Sequence, residues 1–299
     1  MRLIPHALVV DAGSDRSVLA IDPSSLTGVV TSAGSGLTVD VGLDDAGRRI
    51  TWTLRNPGDA AIRVRSVALV YRVTDVVGPL RFFRNGYQSW TPTGVAVFGF
   101  DEDPSVRANF EFLQAVHHAD QRTAEPGELR SEWFTALDDE SADGPIVAGF
   151  DAGTSHDGTF RLRPGSVLGD LGGDAGGRGG DGDAAVDPHV WVEAFLGDAE
   201  LPGGGERPLH AVSIRGGDGA GSAVGALLDE WATTTGRDSG ARTSAPFQLG
   251  WCSWYHYFHD VTEAHIRANL EIAATDGWPV DVFQVDDGYQ SAIGDWLTT

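Results

Sequence analysis

Ile50-Thr51-Trp52-Thr53-Leu54, followed by Asn56-Pro57-Gly58-Asp59, sets the fold class of this chain. Apolar and polar residues alternate with the period of two that a half-buried strand requires. The Asn-Pro-Gly-Asp run then supplies turn chemistry. Downstream, Ile62 and Val64 fall on one parity, and Val67, Leu69, Tyr71 and Val73 on the other. On an ideal strand the two sets face opposite sides, so the slip near Ser66 predicts a bulge within one long strand. Further short strands are predicted at Gly36–Val41, Glu132–Leu137, Ile146–Phe150, Thr159–Arg163, Val190–Phe195 and His210–Ile214. Many short strands separated by Gly, Pro and Asp turns predict a mainly β chain with an N-terminal β-sandwich.

At Ser222 the pattern changes. Ser222 is a reasonable helix N-cap, and Val224, Leu227, Leu228 and Trp231 follow at helical spacing. Thr233 to Pro246, rich in Thr, Ser, Gly and Arg, reads as a linker. A βαβ unit comes next. Phe247–Trp254 is its first strand and Val280–Val285 its second. Between them Asp260 and Glu263 form a capping box. Ile266, Leu270 and Ala273 line the buried face of the helix, and Gly277 ends it. The predicted organisation is a β-sandwich over 1–220, a helix and linker over 221–246, and the start of a parallel α/β domain over 247–299. A parallel sheet needs both faces covered and further neighbours at its edges. Two strands therefore read as a truncated domain, or as one that a partner completes.

Composition excludes several classes. The formal net charge is −22, and all 21 basic residues are arginine. So acidic a chain repels phosphate backbones and anionic membrane surfaces, so neither nucleic acid nor a membrane is an expected partner. The single Cys252 rules out an intrachain disulfide. The apolar stretch after Met1 is broken by Pro5, His6 and Asp11, unlike a signal sequence. No apolar run is long enough to span a bilayer. The expected location is the cytoplasm. Gly169–Asp183 has almost nothing to bury and reads as a flexible surface loop.

Three segments carry chemistry. Phe283-Gln284-Val285-Asp286-Asp287-Gly288-Tyr289-Gln290 places paired carboxylates at the C-terminal end of a parallel strand. In α/β barrels that end faces the active site. Ionised Asp side chains there suit sugar hydroxyls as acceptors, although an Asp-Asp-Gly turn can also simply cap a strand. Gly250-Trp251-Cys252-Ser253-Trp254-Tyr255-His256-Tyr257-Phe258 holds five aromatic rings. Trp251 and Phe258 read as core, and Trp254, at the strand end, as a sugar-stacking candidate. Arg84-Asn85-Gly86-Tyr87-Gln88-Ser89-Trp90 lacks strand alternation and reads either as a binding loop or as a turn with a packing Trp. His256, His259 and Asp260 lack a third ligand cluster, so neither metal nor cofactor is expected. His117-His118 reads as a surface pair, and Cys252 as a buried, inert thiol.

Together the Asn-Gly-Tyr-Gln-Ser-Trp loop at 85–90, the Gly-Trp-Cys-Ser-Trp strand at 250–254 and the Val-Asp-Asp-Gly-Tyr turn at 285–289, with Gly294-Asp295-Trp296, resemble glycoside hydrolase family 36, the α-galactosidase and raffinose synthase group. The resemblance implies an N-terminal β-sandwich followed by a (β/α)8 barrel, here cut after its first βαβ unit. It implies retaining hydrolysis of terminal α-linked galactose in oligosaccharides. Asp286 and Asp287 would bind the galactose hydroxyls O4 and O6, and Trp254 and Trp90 would line the sugar site. Tyr289 departs from the Trp usual after Asp-Asp-Gly. The nucleophile and acid/base would lie beyond Thr299, leaving this chain inactive alone, and the full-length form is a candidate homo-oligomer. Galactosyl transfer, α-N-acetylgalactosaminidase activity and a non-catalytic carbohydrate-binding β-sandwich remain open alternatives.

Overall fold

A computed structural model describes residues 1–299 except 23–25, 33, 45–47, 89–90, 104–117, 121, 123, 152, 154, 166–186, 220, 293–294 and 298–299. The glycine-rich stretch at 169–183 lies outside the described residues, as do His117, Ser89, Trp90 and Gly294. The chain divides into two compact units, Met1–Ala241 and Arg242–Thr299.

The first unit contains β1 (Arg2–Ala12), β2 (Asp15–Ala20), β3 (Gly28–Thr31), β4 (Thr38–Leu43), β5 (Arg49–Arg55), β6 (Ile62–Thr74), β7 (Arg81–Arg84), β8 (Gly94–Val97), β9 (Leu129–Glu132), β10 (Phe134–Asp138), β11 (Ile146–Phe150), β12 (Asp157–Arg163), β13 (His189–Leu201), β14 (Glu206–Gly216) and helix α1 (Val224–Asp238). Among the described residues the strands form two sheets. One is six-stranded, ordered β2-β1-β6-β13-β12-β9; the other is eight-stranded, ordered β3-β4-β5-β14-β11-β10-β7-β8. Neighbouring strands run antiparallel throughout. Alternation decides what each strand buries. Val190, Val192 and Ala194 of β13 and Phe160 and Leu162 of β12 share one core with Trp52 and Leu54 of β5 and Ala148 and Phe150 of β11. The two sheets thus form two layers closed on a common apolar interior.

The bulge expected near Ser66 is present. Asp11 pairs with Ser66 but Ala12 pairs with Val64, so Arg65 is skipped. The same residue is skipped opposite β13, where Phe195 pairs with Ser66 and Ala199 with Val64. The extra residue resets the side-chain parity. Val64 therefore joins Val67, Leu69, Tyr71 and Val73 in one core, with Ile62 packed against it, rather than facing the other side.

The outer face of the six-stranded sheet is ionic as well as apolar. Arg161 is 2 % exposed and bonds three carboxylates: Glu193 at 2.5 Å, Asp120 at 2.7 Å and Glu128 at 2.8 Å. Burial alone would weaken its hold on a proton, but the three anions outweigh burial and raise its pKa. Glu128 also takes bonds from Arg130 and Arg163. Burial opposes its ionisation, yet the surrounding arginines hold its pKa down to about 2. His118 belongs to this buried layer, contrary to the surface position expected of it. Its ring nitrogens lie 2.9 Å from Glu132 and 3.2 Å from Asp103. Burial would lower its pKa, but the two carboxylates more than compensate and raise it. A lone histidine pair in sequence carries no sign of carboxylates that arrive from residues 103 and 132.

The second unit holds β15 (Gly250–Cys252), a helical turn α2 (Trp254–Tyr257), α3 (Glu263–Thr275) and β16 (Val282–Gln284). The strand expected over 247–254 is confined to Gly250–Cys252. Helix starts also differ from expectation. α1 follows Ala223 with no side-chain cap, so Ser222 does not cap it, and the helix runs to Asp238 through part of the expected linker. α3 is capped by Thr262, whose Oγ1 accepts from His265 N–H at 3.3 Å. Asp260 instead ends a 3-10 turn, Phe258–Asp260. Gly277 follows the helix at φ +65°. Ala273 is buried, but Leu270 is 41 % exposed. Among the described residues no helix is long and apolar enough to cross a membrane.

Candidate functional site

β15 and β16 pair in parallel, Gly250 with Val282, Trp251 with Phe283 and Cys252 with Gln284. The parallel pairing follows from the intervening crossover helix. Trp251 and Phe283 pack against each other across it with rings tilted by 31°, centroids 5.2 Å apart. Both strands consequently end at the same edge. The segment after β15 brings Ser253 and Trp254 there, and the segment after β16 brings Asp286, Asp287 and Gly288.

Ser253 joins the two ends. It is fully buried. Its N–H donates to the Gln284 carbonyl at 3.2 Å, and its Oγ accepts from Asp286 N–H at 2.9 Å. The Asp286 carboxylate is then fixed from three sides. Oδ2 accepts from Gln284 Nε2 at 3.1 Å and from the Cys252 thiol at 3.3 Å, and Oδ1 accepts from Asp287 N–H at 2.8 Å. Asp287 Oδ1 accepts from Gln290 Nε2 at 2.5 Å, while Gly288 N–H donates back to Gln290 Oε1 at 2.8 Å. A carboxylate has about four lone-pair sites. Asp286 therefore retains roughly one acceptor direction, and Asp287 more.

The Asp-Asp-Gly turn also packs closely. Gly288 holds φ +110°, and a Cβ there would fall 2.8 Å from Phe258 O and from His259 Cα. Only glycine fits that approach without displacing the neighbouring turn. Trp254 is half-buried at the start of α2, edge-on to Phe258 at 5.3 Å and to His259 at 5.1 Å. Two readings of this region need correction. Phe258 is 53 % exposed, not core, and takes the left-handed φ of +49°. Cys252 is half-buried rather than buried, and its Sγ touches Asp286. Partial burial first, then the neighbouring Asp286 carboxylate, push the thiol pKa up.

The Asn85 loop belongs to the first unit. Asn85 N–H donates to Ser131 Oγ at 2.7 Å and its Nδ2 to the Glu132 carbonyl at 2.8 Å, while Glu132 N–H returns a bond to Asn85 O. Gly86 sits so close to Thr91 that a Cβ would approach the Thr91 side chain within 2.6 Å. These contacts explain why Asn and Gly stand at 85 and 86. Trp254, Asp286 and Asp287 thus gather at one edge of the strand pair. Trp90 is outside the described residues. The sequence reading missed the roles of Ser253 and Gln284, although both flank motifs that it singled out. Among the described residues no group of three or more His, Cys, Asp or Glu side chains forms a metal site.

The solved structures similar to this chain include α-galactosidases. One is from Lactobacillus brevis, 11% identical with a TM-score of 0.48, covering 98% of this chain and 35% of that one. Two are family 36 α-galactosidases from Geobacillus stearothermophilus. AgaB is 14% identical with a TM-score of 0.47, covering 91% of this chain and 35% of its own. A doubly substituted AgaA in complex with raffinose is 15% identical with a TM-score of 0.49, covering 100% of this chain and 40% of its own. The chain therefore spans between about a third and two fifths of the length of these proteins. No family model matches the chain.

Proposed function

We propose that this chain carries the galactose-recognition part of a retaining α-galactosidase of the family 36 type. In this reading the first unit is the N-terminal β-sandwich, and β15, α3 and β16 are the first βαβ unit of a (β/α)8 barrel. The substrate class is an oligosaccharide with terminal α-linked galactose, and the location is the cytoplasm. The observation that carries the reading is the meeting of Trp254, Asp286 and Asp287 at the C-terminal edge of a parallel strand pair, where barrel enzymes bind substrate. Exposed apolar side chains on the strand pair and near it, Phe247 at 86 % among them with Leu249, Val282 and Val285, fit a parallel sheet built to be covered on both faces.

Asp286 and Asp287 offer carboxylate oxygens as acceptors for sugar hydroxyls, which the resemblance assigns to O4 and O6. Ser253, Gln284 and the Asp287 N–H orient Asp286 before any sugar arrives, so little ordering is needed on binding. Trp254 offers an apolar ring for the C–H face of the pyranose. Neither Asp is read as the nucleophile. Retaining chemistry needs two carboxylates about 5–5.5 Å apart across the scissile bond, whereas Asp286 and Asp287 are adjacent on one turn and Asp286 is already bonded from three sides.

The test is Asp287→Asn in the full-length protein, assayed on an α-galactoside and on its 4-deoxy and 6-deoxy analogues. A charge-assisted hydrogen bond contributes roughly 1.5–3 kcal/mol, so kcat/KM on the galactoside should fall about tenfold to a hundredfold. The fall should be small on the analogue that lacks the contacted hydroxyl. Equal losses on all three, or recovery of activity with azide, would overturn the reading.

A further inference from the structure

Glu132, at the end of β9, holds several neighbours at once. Its backbone accepts from Asn85 Nδ2 at 2.8 Å and donates to Asn85 O at 3.0 Å, which fixes the chain where it leaves β7. Its side chain is wholly buried. Oε2 accepts from Thr159 Oγ1 at 3.0 Å, and Oε1 faces His118 Nδ1 at 2.9 Å. The other ring nitrogen of His118, Nε2, faces Asp103, whose Oδ1 and Oδ2 lie 3.3 Å and 3.2 Å away. Asp103 follows β8 and is 1 % exposed. His118 therefore bridges the chain beyond β8 to β9.

A neutral imidazole has one N–H, and only the imidazolium donates from both nitrogens. Two carboxylates against one ring therefore call for the charged form. Burial would lower the His118 pKa, but Asp103 and Glu132 raise it. The surrounding charges are already engaged. Along the same face β9 continues to Arg130, which lies opposite Arg161 of β12, and both bond Glu128. Glu132 also lies near Asp157 and Tyr87. Burial first, and then Glu132, raise the Asp157 pKa. Asp157 first, then burial and Glu132, raise that of Tyr87, so the phenol stays protonated across neutral pH.

We propose that Asp103, His118 and Glu132 form a pH-operated clamp: the imidazolium fastens the chain beyond β8 to β9, and loss of its Nε2 proton to water releases the Asp103 end while the Glu132 end holds. The asymmetry is geometric. A neutral ring keeps one N–H. Glu132 has the shorter bond and is fixed by Thr159, by Asn85 and by the pairing of β9 with β12, so it retains that N–H. The bare Nε2 lone pair would then face the Asp103 carboxylate in a buried setting, where an unpaired charge is costly. Between β8 and Asp103 the Phe100 side chain is 85 % exposed, so burial of its ring does not oppose release. The folded chain binds the His118 proton more tightly than the unfolded chain. The clamp is therefore fully closed below about pH 6.5 and opens as pH rises through the raised His118 pKa. The inference does not depend on the roles of Asp286 and Asp287.

The test is a pH titration of the 299-residue chain by NMR, following the carbon-bound ring protons of His118, assigned through its backbone. The ring should titrate with a midpoint above about 6.5. Through that midpoint its nuclear Overhauser contacts to Asp103 should fall severalfold, while those to Glu132 persist. Asp103→Asn keeps the shape and an acceptor but removes one charge, so it should lower the midpoint by about one pH unit or more. A midpoint at or below about 6.5 would overturn the proposal. So would contacts to Asp103 that persist through the midpoint, contacts to both carboxylates lost together, or an unchanged midpoint in Asp103→Asn. All but the last are read on the unsubstituted chain, so they decide the matter even if Asp103→Asn folds poorly.

Discussion

The backbone N–H of Asp286 donates to the side-chain oxygen of Ser253 at 2.9 Å, tying together two strand ends 33 residues apart. Ser253 is wholly buried, so nothing in solvent can replace that bond. The candidate carboxylate is therefore placed by a residue on the other strand.

Ser253→Ala should leave the Asp286 N–H without its acceptor. An orphaned buried donor costs about 1–3 kcal/mol, and the second unit should lose stability by that order in urea unfolding. Hydrogen exchange at the Asp286 amide should speed up while β12 and β13 keep their protection. An unchanged Asp286 exchange rate would show that the bond does not hold the turn.

Arg161→Leu should destabilise the first unit by at least about 3 kcal/mol at neutral pH, because Asp120, Glu128 and Glu193 would stay buried without their shared cation. The deficit should narrow in acid. Glu128 ionises well below its usual range in the intact protein, so its stabilising effect is present above about pH 4.5 and is lost as pH falls toward about 2. The variant has little of that contribution to lose. Urea unfolding at pH 7 and pH 3 checks both statements.

His156 gives a second pH dependence. Burial, more than the neighbouring His210 and Arg207, lowers its pKa to about 4, against the bond to the Asp157 carbonyl. Its Nε2 accepts from His210 N–H at 2.9 Å, which requires the ring to be neutral. The unfolded chain binds this proton below about pH 6.5 and the folded chain only below about pH 4. Stability is therefore full above about 6.5 and declines as pH falls to about 4, with up to about 3 kcal/mol at stake. His156→Phe should flatten that part of the stability profile. If the variant and the parent lose stability in parallel over this range, His156 is not responsible.

The sequence made local structure legible where a single period held. Ile50–Leu54 and Ile146–Phe150 alternate or run apolar without interruption and lie within β5 and β11. The bulge near Ser66 was legible because it breaks an otherwise regular alternation. Residues 2–12 were not, because Pro5, His6 and Asp11 interrupt the pattern; β1 exists through its pairing with β2 and β6. Helix starts were ambiguous where several capping residues stand close together. Ser222 and Asp260 have the right chemistry, but the chain turns into a helix only after Ala223 and Thr262.

In the candidate site, residue types alone marked Asp286, Asp287 and Trp254, because paired carboxylates after a strand and an aromatic residue at a strand end are local signals. Tertiary structure decided the rest. Only the parallel pairing brings Ser253 and Cys252 to Asp286, and only the convergence of residues 103, 118 and 132 buries His118 between two carboxylates. Hydrogen-bond partners across tens of residues leave no periodicity in sequence. They arise when apolar burial has already fixed the strands, and a polar side chain takes whichever partner the packing presents.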